Sequence, residues 1–157
     1  MKKKALVGSI VIVALLLISS ITYLFLGDRE AYKYYTGLGS GLAISVDDQH
    51  IAFSYFNNGS SAIYTARQDG TDVKRVSNPD QVYHSNPQFS PDGSKILFLS
   101  RDRNRIQSLF TANVDGTNPK KLSDDSQHIS EAVFSDDNET IFFSSMPAEE
   151  SLKSEGE

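Results

Sequence analysis

The side chains best able to do chemistry are few. Three histidines, His50, His84 and His128, occur in 157 residues, and there is no cysteine. Without Cys there is no thiol nucleophile, no thiolate metal site and no disulfide framework. A metal site would have to rest on imidazoles and carboxylates. His84 and His128 lie near Asn86 and Glu131, but without the close carboxylate spacing of a metal centre. Asp124-Asp125 and Asp136-Asp137-Asn138-Glu139 have the oxygen chemistry of a calcium site, yet lack the ligand spacing and glycine of an EF-hand loop. Many serines occur, but none stands in a G-x-S-x-G nucleophile elbow. Gly37-Leu38-Gly39-Ser40-Gly41 lacks the Lys-Ser/Thr and strand–helix context of a phosphate loop, and reads as a flexible spacer. Arg101, Arg103 and Arg105 read as a solvated basic loop, with contact to an acidic partner as the alternative. No catalytic group, cofactor site or metal site is expected in these residues.

What could position such side chains is a repeat. Ile44-Ser45-Val46-Asp47-Asp48-Gln49-His50-Ile51-Ala52-Phe53 aligns without gaps with Phe89 to Phe98, and again with Phe134 to Phe143, each copy 45 residues after the last. A second block, Ile63 to Ser77, matches Leu109 to Ser123 at an offset of 46. Short apolar or β-branched runs alternate with Asp, Gly, Asn and Pro, the pattern of strands joined by tight turns. Four strands per repeat are expected, in the second copy near residues 86–90, 95–100, 108–113 and 120–123.

Asp48, Gly93 and Asn138 are equivalent, and all three types tolerate the left-handed conformation. Pro91 before Asp92 presets that turn, and Asp69-Gly70 and Asp115-Gly116 mark the following hairpin. By the same alignment His50 takes the strand position of Lys95 and Thr140 and reads as a solvated residue. A period of 40–50 residues with four strands is the mark of propeller blades.

The string Asn86-Pro87-Gln88-Phe89-Ser90-Pro91-Asp92-Gly93-Ser94-Lys95-Ile96-Leu97-Phe98, followed by Asp115-Gly116-Thr117 and Leu122-Ser123, resembles the TolB-like (PD40, WD40-like) propeller repeat. The resemblance covers residues 42–145. It implies a closed propeller of about six or seven blades, in extracytoplasmic proteins that serve mostly as protein-interaction platforms; the same repeats form the gating propeller of some prolyl-oligopeptidase-type serine peptidases. In such propellers the loops entering the innermost strands open toward the central channel, which makes His84, Asn86, His128 and Glu131 the candidates for a channel-facing polar site. The repeats amount to about two and a half blades, because the third breaks off before its last two strands. The expectation is the leading part of a longer protein; a ring shared among copies, or an open stack with bare strand edges, is the alternative.

Residues 5–26 carry no charge and as a helix would span roughly 33 Å, against about 30 Å of bilayer hydrocarbon. Lys2, Lys3 and Lys4 precede the span, so the positive-inside rule leaves residues 1–4 in the cytoplasm and everything after residue 26 outside. A cleaved signal peptide is the competing reading, but the apolar run is long and no small-x-small site follows. Residues 28–157 hold 12 basic against 20 acidic groups, a poor surface for nucleic acid.

The expected organisation is therefore a cytoplasmic N-terminus (1–4), a transmembrane signal anchor (5–26), a juxtamembrane linker (27–41), all-β propeller-blade repeats (42–145) and a polar acidic tail (146–157). The expected function is a membrane-anchored, non-catalytic, extracytoplasmic module for an unidentified protein partner, with self-association through open blade edges as a further possibility. The alternative is the N-terminal fragment of a larger propeller-containing enzyme, such as a prolyl-oligopeptidase-type peptidase.

Overall fold

The computed structural model describes residues 36–78 and 82–154. The expected cytoplasmic N-terminus and transmembrane anchor lie outside these residues. Among the described residues no helix is long and apolar enough to cross a membrane.

Each repeat folds as an antiparallel meander. Blade one comprises β1 (Gly37–Ile44), β2 (His50–Asn57), β3 (Ser60–Arg67) and β4 (Lys74–Arg75). Blade two comprises β5 (Tyr83–Phe89), β6 (Lys95–Arg101), β7 (Gln107–Asn113) and β8 (Lys120–Lys121). A third unit has β9 (Gln127–Phe134) and β10 (Ile141–Pro147), followed by a short helix, α1 (Ala148–Ser154). Blades one and two meet at a single parallel bridge, Ser61 opposite Tyr83.

The turn after each innermost strand is built three times from the same parts. Asp48, Gly93 and Asn138 have φ of 57°, 71° and 64°. The hydroxyls of Ser45 and Ser90 donate to Asp47 and Asp92 at 2.6 Å, and Ser135 donates to Asp137. Each serine oxygen also accepts an N–H at the start of the next strand, from His50, from Lys95, or from Thr140 just before β10, at 2.9 Å. Hydrogen bonds to the charged form hold these carboxylates low. For Asp92, the Ser90 hydroxyl and the Ser94 N–H come first among the causes, and its pKa falls to about 2. In the later hairpins Asp69 and Asp115 each accept the N–H (2.9 Å) and hydroxyl (2.6 Å) of Thr71 and Thr117.

The core lies between the sheets. Ala52, Ile63 and Val76 of blade one pack against Ile96, Phe98 and Ala112 of blade two. Leu97, Leu99 and Leu109, on the other face of blade two, pack against Ile129 and Ala132 of the third unit. A sheet covered on both faces needs apolar side chains in both alternating sets. This is why β6 reads Ile-Leu-Phe-Leu as an unbroken run.

Two expected boundaries are corrected. Residues 37–41, assigned to a flexible linker, belong to β1, which pairs with β2 from Gly37 to Ile44. Its glycines serve close approach: a Cβ on Gly39 would collide with the Ser54 hydroxyl, and one on Gly41 would lie 2.8 Å from the Asn86 Cα. The acidic tail assigned to 146–157 likewise begins as structure. Met146 and Pro147 continue β10 opposite His128 and Gln127, and 148–154 form α1, with Glu149 and Glu150 in its favourable first turn.

Gly41 has a φ of 91° as well as no room for a side chain, whereas Gly93 faces open space at a position its equivalents fill with Asp and Asn. Gly41→Ala is expected to destabilise the fold by about 2 kcal/mol or more. Gly93→Asn should change stability by less than about 1 kcal/mol. Urea unfolding midpoints of the two variants check both.

Candidate functional site

The four residues singled out for a channel-facing site are not in loops and do not come together. All sit on the inner strands β5 and β9, because those strands begin several residues earlier than the apolar pattern suggested. Asn86 adopts a φ of 51° within a bulge of β5, where register shifts between Ser85 and Gln88. With Glu131 and Gly41 it lines a cleft of about 400 Å³ along the innermost strands. Only these two of the four share a cleft. The His128 ring nitrogen lies 2.9 Å from the Ser151 hydroxyl and so ties β9 to α1.

His84 is turned the other way, toward blade one. It is 7% exposed, and its Nδ1 lies 2.6 Å from Ser77 Oγ. Ser77 Oγ also accepts the Ile63 N–H at 2.8 Å, and the His84 carbonyl accepts the Ser61 hydroxyl at 2.8 Å. The Ser77 hydroxyl has a second lone pair and one proton, so it matches Nδ1 of the neutral ring in either tautomer. The Phe98 ring packs 5.1 Å from the imidazole, centre to centre. Burial, reinforced by the positive charge of Arg75, pushes the His84 pKa down to about 4.

A serine hydroxyl donating to an imidazole is the first requirement for a nucleophile. Here Ser77 is buried and its oxygen already caps the Ile63 N–H, so the pair knits the blades together. The matching Ser123 caps Leu109 N–H at 3.0 Å, but Ile129 stands where blade two has His84.

His84 lines a larger cleft, about 730 Å³, between blade one and the outer half of blade two, together with Phe98, Ser100, Ser108 and Phe110. A third cleft of about 460 Å³ is lined by His50, Asp47, Asp72 and Asp92, with Lys74 paired to Asp72 at 2.9 Å. Among the described residues no group of three His, Asp or Glu side chains is disposed to hold a metal ion. The Arg101–Arg105 segment is a tight turn in which Asp102 accepts the Ile106 N–H at 2.9 Å and Arg105 has a φ of 70°.

One further surface went unread in the sequence. β10 pairs only with β9 among the described residues. Phe142 is 61% exposed and Phe143 49% exposed, with Met146 and Leu152 exposed beside them. The signal lay in the alignment: Phe143 is the equivalent of Phe98, which stacks on Phe110 at 5.8 Å, and among the described residues Phe143 has only Ala132 opposite it.

The His84 assignment has a pH signature. The unfolded histidine titrates near 6.5 and the folded one near 4, so the unfolded chain binds the extra proton between these values. Stability from this group is complete above about pH 6.5 and is lost as pH falls toward 4. The wild-type urea midpoint should fall between pH 7 and 4.5, and His84→Leu should flatten that slope while lowering the midpoint at pH 7.

No protein-family model matches the chain, and no curated protein matches it. Solved structures do. TolB from Acinetobacter baumannii superposes with a TM-score of 0.60 at 23% identity, over 72% of this chain and 28% of that one. A TolB-type protein from Agrobacterium tumefaciens gives 0.59 at 21%, over 73% of this chain and 39% of that one. The apo AtxE2 isopeptidase gives 0.57 at 18%, over 76% and 23%. The chain thus spans between about a quarter and two fifths of the structures it matches. At these identities the likeness is one of fold, and the fold is that of TolB-like β-propeller blades.

Proposed function

We propose that the chain is a membrane-anchored, extracytoplasmic protein-interaction module of TolB-like blades, with no catalysis in residues 42–145. The observation that carries this reading is the contrast among strand edges. β4 and β8, which end blades one and two, are two residues long and wholly basic, Lys74-Arg75 and Lys120-Lys121. Short, Lys-rich edges discourage pairing with other chains. β10 has seven residues, no charge, and two exposed phenylalanines. Such an edge fits an extended segment of another protein, added as a further strand, and a second copy of this chain could pair there in the same way. The uncharged run 5–26 and the three lysines before it support the anchor and the outward orientation.

The likeness to an isopeptidase favours a second reading. Under it, the blades are part of the propeller of a larger peptidase whose catalytic groups lie outside these residues. The reading frame beyond Glu157 separates the two: further blades followed by a G-x-S-x-G region support the peptidase.

The interaction reading is tested with a photoreactive amino acid at Phe143 in the full chain in cells. A discrete cross-linked protein, together with recovery of the chain in carbonate-washed membranes, is the expected result. Cross-linking no stronger than at exposed Lys120, or release of the chain from membranes by carbonate, would count against it.

A further inference from the structure

The cleft above His84 has a floor that the fold does not require. His84, Ser100 and Ser108 stand directly opposite one another on β5, β6 and β7. Directly opposed residues of neighbouring antiparallel strands share a face at about 5 Å, so the three form one row. The His84–Ser77 hydrogen bond shows that this face looks toward blade one. Two residues along, on the same face, lie the stacked rings of Phe98 and Phe110.

Only in blade two is every position of the row polar. The equivalent positions are Gly39, Tyr55 and Ala62 in blade one, and Ile129 and Ser145 in the third unit. Ser100 and Ser108 are only 9% and 8% exposed, yet neither hydroxyl has a hydrogen-bond partner among the described residues. The Nε2 of His84 likewise has no partner there. All three line the cleft, where water meets these groups and a ligand with matching polar atoms would displace it.

The chemistry of the cleft narrows what that is. The floor carries no charge: the imidazole is neutral, and the serines both donate and accept. The wall is aromatic. The mouth holds both signs, Arg75 and Lys121 against Asp102 and Asp115. The two cations are already engaged, Arg75 with Asn78 and Lys121 with Asp125. An anion would find no free cation at the floor, and an apolar ligand would strand three polar groups. A neutral ring with hydroxyls at its edge and an apolar C–H face satisfies both the row and the wall. The volume, about 730 Å³, is within the range of small-ligand sites.

We propose that this inter-blade cleft binds a saccharide, with His84, Ser100 and Ser108 hydrogen-bonding its hydroxyls and Phe110 covering its apolar face. The site is remote in sequence from the β10 edge and independent of the partner surface proposed there.

The test uses the full chain, labelled on its three histidine rings, in a detergent without a sugar headgroup. Glucose, galactose and N-acetylglucosamine are titrated separately, with sodium acetate as the anionic control. The expected result is a saturable shift of the His84 ring signals by at least one sugar, with His50 and His128 unmoved. Ser100→Ala with Ser108→Ala should weaken that binding by roughly tenfold or more and leave the thermal midpoint nearly unchanged. The proposal is overturned if none of the three sugars shifts His84, if acetate does so instead, or if the double variant binds as well as the parent.

Discussion

A twisted four-stranded sheet cannot bury its own two faces, and that constraint governs the rest of this structure. Each blade presents two sets of alternating side chains, and only a neighbouring sheet can cover each set. Blade two has neighbours on both sides, so the five residues from Ile96 to Ser100 are all buried. β10 carries a related apolar pattern, Ile-Phe-Phe-Ser-Ser-Met, but no strand flanks its outer edge among the described residues, and it is largely exposed. The same sequence logic thus produces a core strand in one place and an exposed strand in another. The difference lies in the neighbours and not in the strand.

The contacts between blades are polar as well as apolar. Gln88 and Gln107 donate across to the carbonyls of Ala132 and Ile129 at 2.8 Å. Asn138 in the third turn donates to Asp92 in the second at 2.9 Å. Ser61 and Ser77 hold His84 from blade one. Apolar burial drives the sheets together without regard to register, and these directional bonds set how one blade sits on the next. A neutral His84 is one condition of that arrangement, which is why its low pKa is a property of the interface and not of the residue alone.

Much of the fold was legible because the repeat states each requirement more than once. Asp48, Gly93 and Asn138 differ in chemistry but share a left-handed backbone, and the alignment alone exposes that common demand. Local chemistry without a repeat partner was harder to read. Gly37 to Gly41 looked like a spacer, since glycine is equally the residue of flexible linkers and of strands pressed against a neighbour; only the approach of Asn86 and Phe56 separates the two. Asn58-Gly59, with φ of 50° and 77°, closes the β2–β3 hairpin and was a readable turn signal. The serines of the Ser-x-Asp turns were visible in the alignment, but their double role, donating to the carboxylate and accepting the next strand's N–H, is a matter of geometry. His84 was misplaced for a related reason: sequence puts it at the entrance to an inner strand, and cannot say to which face the ring turns.

That face decides what the residue can do. On the inner edge, His84 would have joined Asn86 and Glu131 in a polar cleft open along the innermost strands. On the face toward blade one it is desolvated, neutral and held by a serine that also caps Ile63. A neutral imidazole in a row with two serine hydroxyls suits oxygen-rich, uncharged groups; an imidazole beside Glu131 in the inner cleft would suit something else. The bulge at Asn86 marks the boundary between these outcomes. It inserts a residue between Ser85 and Gln88, so strand alternation carried back from Phe89 does not reach His84 unbroken. A backbone irregularity of one residue thereby assigns His84 to the inter-blade cleft and Asn86 to the inner one.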